Sequence, residues 1–255
     1  ATAETVSARD SFLHNLPWDE ARAKLDSTLE AFDRAGLHPT SFRGGRYSTS
    51  PQIQDHLRDR GVVADASVLP FNTWADAGAP DYRGRGLGAV RKPPRHPGDA
   101  ALWELPLTFG YTRRPFAAWD RVFRGIEGSP LRHLKLIGLM DRLGVARKAW
   151  LNLENPAYPD PAGFVPAVAA ERPAFACFTL HSSSLMPGGS PYSRTASDVD
   201  RVLRTTATAL AAAARCPTFR AATVTETARE LEAEYSGRSG LQPLAASPRG
   251  EAASG

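Results

Sequence analysis

The chain has 255 residues, 42% of them hydrophobic, which is enough apolar material for one barrel-sized core. Its formal charge of +4 comes almost entirely from arginine, since Lys24, Lys92, Lys135 and Lys148 are the four lysines, and so mild a balance does not imply nucleic acid, which is not expected as a partner. No run of about 18 apolar residues exists, so the sequence predicts no transmembrane segment. Cys177 sits in an apolar run and Cys216 follows a helical pattern, which suits two thiols better than a disulfide framework.

Residues 1–16 read as an irregular lead-in. Pro17 opens a helix with Trp18, Leu25, Leu29 and Phe32 on one face, Asp19 and Glu20 in its first turn, and Gly36 as its stop. A short extended segment, 39–42, runs into Arg43-Gly44-Gly45-Arg46-Tyr47, where the glycine pair predicts a sharp turn. Ser50-Pro51 then caps a second helix that ends at Gly61, and a strand over 62–68 completes a strand, helix, strand unit of parallel form. Residues 72–100 form a long loop carrying Arg83, Arg85, Arg91, Lys92, Arg95 and His96, either a solvated excursion or a basic rim over a sugar or anionic ligand.

A strand over 102–107 follows, then a helix started by Ser129-Pro130 that places Leu131, Leu134 and the leucines of 136–139 on its apolar side and stops near Gly144. Residues 152–173 hold many prolines and predict only a short, interrupted helix near 164–170. Residues 174–180 read as a buried strand delivering His181 at its tip, followed by a Ser/Gly/Pro loop. Ser197-Asp198 caps a helix running to Ala214, residues 219–222 form a last short strand, and Thr223 with Glu226 has capping-box spacing ahead of a final helix. One domain over 1–235 and a disordered tail over 236–255 complete the organisation. Alternation of strands and helices predicts an α/β fold with a mainly parallel sheet, as an open sheet or a distorted barrel.

In a parallel sheet, Arg43 and His181 emerge at the same carboxyl-terminal edge, and this convergence marks the candidate site. Arg46 and Tyr47 read as rim or packing groups. Asp65 and Glu104 lie within strands and suit supporting or interior roles. Ser182, Ser183 and Ser184 have no Gly-x-Ser-x-Gly elbow around them, which disfavours a serine nucleophile. The histidines His14, His38, His56, His96 and His133 are scattered without metal-ligand pair spacing, so no metal ligands are assigned.

The ordered set Phe42-Arg43-Gly44-Gly45-Arg46-Tyr47, Gly61 with Asp65-Ala66-Ser67-Val68, Leu102-Trp103-Glu104-Leu105-Pro106, and Leu180-His181-Ser182 through Pro187-Gly188 and Pro191-Tyr192 resembles the polysaccharide deacetylase (NodB-homology) superfamily, WalW-type, over about 11–232. The resemblance implies a distorted (β/α) barrel and metal-dependent removal of acetyl groups from a poly- or oligosaccharide, with a divalent metal, zinc in most members, and an aspartate base. It assigns His181 as the acid that protonates the leaving group and Arg43 as the arginine that orients the base, with Tyr47, Arg46 and Ser182 as substrate-binding candidates. The family's aspartate pair and histidine ligands would fall before Ser11, and Asp10 and His14 do not reproduce them. The resemblance therefore implies a domain incomplete at its amino terminus, without its metal ligands and inactive as it stands. A non-catalytic carbohydrate-binding or scaffold module is the alternative.

Overall fold

A computed structural model describes residues 7, 9–96 and 98–239; of the tail expected over 236–255, residues 236–239 belong to the last helix instead, and 240–255 lie outside the described residues. Helix α1, Trp18–Arg34, begins directly after Pro17 with Asp19 and Glu20 in its first turn. Its inward residues are Ala21 and Leu25, whereas Phe32, expected on the apolar face, is exposed. Strand β1, Ser41–Phe42, leads through the 43–48 turn to α2, Pro51–Asp59, where the Ser50 hydroxyl accepts from the Ile53 amide. Leu25, Ile53, Leu57, Val62 and Leu102 form one apolar cluster, so α1 and α2 share a face against the sheet.

Strand β2, Ala64–Asp65, is shorter than the expected 62–68. The long loop contains two elements the sequence reading does not predict, a 3-10 turn at Ala75–Ala77 and strand β3, Val90–Lys92. Strand β4, Leu102–Glu104, lies between β2 and β3, giving the order β1-β2-β4-β3, in which β1, β2 and β4 are parallel and β3 is antiparallel. The basic rim expected of this loop is largely taken up in ion pairs: Arg83 with Asp81, Arg85 with Glu104, Arg91 with Glu232, and Arg95 with Asp55 and Asp59.

Strand β5, Phe109–Tyr111, helix α3, Phe116–Glu127, and strand β6, Lys148–Trp150, are also absent from the sequence reading; β5 and β6 pair antiparallel. The helix expected to follow Ser129-Pro130 is broken into a 3-10 turn, Pro130–Leu134, and a short α4, Leu136–Arg142, because Lys135 between them adopts φ 51°. The expected apolar face is met only in part: Leu131, Leu134 and Leu139 are exposed, whereas Ile137, within the expected 136–139 stretch, packs on the core together with Met140.

Helix α5, Pro161–Glu171, spans the expected segment with Pro166 inside it, and packs against α6, Ala196–Ala214. The cap expected at Ser197-Asp198 lies two residues earlier: Thr195 and Asp198 close a capping box at the start of α6, and Ser197 is inside the helix. Residues 219–222 form no strand. Helix α7, Val224–Ser239, starts with the reciprocal Thr223 and Glu226 bonds the spacing predicts, and rests on the sheet through Ala228 and Leu231 against Ala64 and Trp103. Both cysteines are free thiols. No helix among the described residues is long and apolar enough to cross a membrane.

The largest correction concerns 174–180. These residues do not form a regular buried strand; only Thr179 bridges, in parallel, to Asn152, and most of the segment is half-buried. The Cys177 amide donates to the Thr108 hydroxyl at 2.8 Å instead of to a neighbouring backbone, so the ladder is interrupted there. At Thr179 it resumes: Thr179 N–H donates to Leu151 O and Leu153 N–H to Thr179 O. The resulting chain is mixed α/β, with parallel and antiparallel pairs in comparable number where mainly parallel ones are expected.

Candidate functional site

The apolar end of β6 runs through Leu151 and Leu153 into Glu154. The Asn152 side-chain oxygen accepts from the Glu154 and Asn155 amides at 3.0 and 2.8 Å, a local turn that fixes where the carboxylate starts. Because 152 and 179 are bridged in parallel, the two segments deliver Glu154 and His181 to the same place. There, one Glu154 oxygen binds His181 Nδ1 in a short hydrogen bond, and the other accepts from the His181 amide at 3.2 Å and from the Ser184 hydroxyl.

The environments of the two partners differ sharply. Glu154 is fully buried, while the His181 side chain is 64% exposed. A carboxylate without water must be paired, and here it holds its ring partner through Nδ1. Among the described residues no hydrogen bond engages the other ring nitrogen, Nε2, of this exposed side chain. This is the arrangement in which a carboxylate fixes the orientation and tautomer of an imidazole that exchanges protons through its far nitrogen.

Several contacts lock the surrounding loop. Arg201 of α6 donates to the Glu154 carbonyl at 3.1 Å and to the Tyr192 carbonyl at 2.6 Å, clamping both segments. Ser193 Oγ donates to the Ser184 carbonyl, and Gly189 N–H to Met186 O. A side chain at Gly189 would overlap the Ser183 carbonyl oxygen, so only glycine allows this close approach. Ser184 is buried with its hydroxyl on Glu154 and Ser190, so it is not presented to His181 Nε2 as a nucleophile. Ser182 is exposed at the start of the 3-10 turn Ser182–Leu185, next to His181.

The turn after β1 supplies the other side. A side chain at Gly44 would overlap the Ser48 carbonyl oxygen, and Arg46 and Tyr47 both take positive φ, 53° and 61°. Holding two non-glycine residues there needs support from outside the turn. Gly44 N–H donates to Ser67 Oγ at 2.8 Å, and the Tyr82 hydroxyl donates to the Tyr47 carbonyl at 2.7 Å. Behind Ser67, Asp65 accepts from Thr49, Gln54 and Ser67, and Gln54 also donates to Glu104. Asp65 and Glu104 thus brace the turn from within the sheet.

Arg43 leaves this turn to donate to the Ala66 carbonyl at 3.2 Å and to the Cys177 sulfur at 3.6 Å, reaching the segment that carries His181. Among the described residues no hydrogen bond joins Arg43 to His181. The two sides meet at Tyr47: burial pushes its hydroxyl well above the ordinary phenol value, Arg43 opposes that shift, and Tyr192 and Glu154 reinforce it. Tyr47 also anchors an aromatic row, with Trp74 on one side at 5.7 Å between ring centres, Trp150 on the other at 5.7 Å, and Tyr158 beyond at 5.5 Å. Trp74 is exposed at the open end. Arg46 faces elsewhere: its guanidinium covers the Phe12 ring at 4.4 Å and binds Ser11, away from the His181 cluster.

Sequence reasoning missed Glu154 and Trp74. Glu154 has a local signal, an apolar run from Trp150 that ends on a carboxylate, but it lies in the proline-rich stretch 152–173. Trp74 is a lone tryptophan in the long loop 72–100 and has no local signal of its own. Among the described residues, no group of three or more His, Cys, Asp or Glu side chains is placed to hold a metal ion, so the structure adds no support for the divalent metal that the family resemblance implies. Neither a family model, nor a curated protein, nor a solved structure matches the chain.

Proposed function

We propose that the chain is a carbohydrate deacetylase-like protein that removes acetyl groups from a poly- or oligosaccharide, with His181 as the proton donor to the leaving amine or alkoxide. The observation that carries this reading is the buried Glu154 carboxylate bound to Nδ1 of an exposed His181. With Nδ1 engaged, the imidazolium would give up its proton from Nε2, and the carboxylate would stabilise the charged ring until transfer. In this reading Arg43 and Tyr47 serve the acyl end of the substrate, Ser182 lies beside His181, and the exposed Trp74 offers a flat face for a sugar ring. Lateral hydrogen bonding from β1 through β2 and 102–108 to Leu151 and Thr179 supports a distorted (β/α) barrel as the framework. Among the described residues no set of ligands for a metal is present.

That same lack of a ligand set favours a second reading, a carbohydrate-binding module that keeps the groove without turnover. Acetate release and calorimetric titration with N-acetylated chitooligosaccharides and O-acetylated glycans separate the two. Deacetylation predicts release that falls by roughly 10²- to 10⁴-fold in His181→Ala. Binding without release, unaffected by chelator, supports the module. Neither binding nor release refutes both.

A further inference from the structure

We infer that the outer face of residues 131–143 is a docking surface for an anionic membrane. Leu134 and Leu143 are 65% and 67% exposed, and Leu139 and Leu131 are 50% and 46%. Large aliphatic side chains scattered singly on a surface need no explanation, but four within thirteen residues do. In α4 the core is served by Ile137 and Met140. At 100° per residue, Leu139 lies well away from the direction of Ile137 and Met140, while the half-buried Leu136 borders that direction. Leu139 and, just past the end of the helix, Leu143 are therefore apolar side chains without a partner within the fold. In the preceding 3-10 turn, residues 131–135 are exposed without interruption, so this segment stands out from the surface instead of lining a groove.

Charge decides which occupant fits. Arg132, Lys135 and Arg142 alternate with these leucines, and among the described residues none of them pairs with a carboxylate. The one acidic residue of the segment, Asp141, is engaged by Arg147, and nearby Glu127 is engaged by Lys148. A second copy of the chain packed on this face about a two-fold axis would bring the same uncompensated cations together. A surface of anionic lipid headgroups neutralises them, and a protruding ridge of leucines enters the acyl boundary without needing a shaped pocket. Because 3-10 turn and helix are short, the attachment is shallow and reversible, and it weakens with salt.

The test is co-sedimentation of the full chain with phosphatidylcholine vesicles, with and without phosphatidylglycerol. We expect pelleting only with phosphatidylglycerol, weakened by raised sodium chloride. Two variant sets follow, Leu134→Gln with Leu139→Gln and Leu143→Gln, and Arg132→Glu with Lys135→Glu and Arg142→Glu. Each should lower vesicle partitioning on the order of tenfold or more. All six side chains are exposed, so circular dichroism and the melting temperature should stay at their wild-type values. The inference is overturned by absence of pelleting, by pelleting that both sets leave intact, or by light scattering that shows a dimer which the leucine set dissociates.

Discussion

Replacing Glu154 probes the site at its most buried point. In Glu154→Ala, the His181 amide, which now donates to the carboxylate at 3.2 Å, loses its partner at a half-buried position, and the Ser184 hydroxyl keeps only Ser190. An orphaned donor costs about 1–3 kcal/mol and a lost bond to a charged acceptor about 1.5–3 kcal/mol. The exposed imidazole is re-solvated at little cost, and releasing a buried carboxylate offsets part of the sum. The net expectation is a loss of about 3–5 kcal/mol, which for a domain of this size lowers the melting temperature by roughly 6–20 °C. Glu154→Gln conserves volume and one acceptor, and should cost about half as much. It has a second consequence that a purely structural role would not produce. If the amide nitrogen faces Nδ1, the neutral ring must accept there and carry its proton on Nε2, which reverses the tautomer. Urea denaturation followed by tryptophan fluorescence reads the stability, and nitrogen chemical shifts of the ring read the tautomer. A Glu154→Ala protein that melts within about one degree of wild type would refute the reasoning, because the carboxylate would then not be organising the loop.

Other expectations follow from the supporting contacts. Gly189→Ala forces its new methyl group against the Ser183 carbonyl, so the loop after His181 should shift; amide exchange at 183–190 should rise and glycan binding should fall, whereas Gly188, with open space but φ 78°, should show only the modest cost of positive φ. Glu232 is held below the ordinary carboxylate range by its hydrogen bonds from Arg91, with burial opposing and Trp103 assisting. Its folded value is depressed, so its contribution to the docking of α7 is present above the unfolded value of 4.5 and is lost as pH falls through the folded one; amide protection factors in α7, corrected for intrinsic exchange, should fall below pH 4.5, and Arg91→Gln should remove that step. Burial pushes the Cys177 thiol up, against the opposing charge of Arg43, so alkylation of Cys177 by iodoacetamide at neutral pH should be slower than that of an unstructured cysteine, and unfolding should abolish the difference.

How far the sequence could carry this account depends on the range of the interactions involved. Helices α1, α2 and α7 are legible because their start signals are local: proline at 17, Ser50-Pro51, and Thr223 with Glu226 all act within one turn. The extent of α6 is legible, but its cap is Thr195 and not the expected Ser197-Asp198. Helix α3 carries a comparable signal in Phe116, Trp119 and Phe123 at helical spacing. The strands are two or three residues long, too short for alternation to show, and pairings such as Phe109 with Trp150 depend on partners far along the chain. The apolar composition of 174–180 suggests a strand, yet a side chain 69 residues away, Thr108, takes the Cys177 amide out of the ladder. For the site, Arg43, Tyr47 and His181 could be named from local motifs. Arg46 belongs to the same motif, but positive φ at 46 and the ring of Phe12 send its side chain elsewhere. The Glu154 partnership spans 27 residues and depends on the bridge between 152 and 179, which no local pattern announces.

The central claim is that His181, held by Glu154 through Nδ1, meets an acylated sugar through Nε2. Nitrogen-15 spectroscopy of the His181 ring during titration with an N-acetylated chitooligosaccharide measures both parts at once. The account predicts that the neutral ring keeps its proton on Nδ1 and that added glycan moves the Nε2 resonance. A neutral ring protonated on Nε2, or a resonance that glycan does not move, would contradict it.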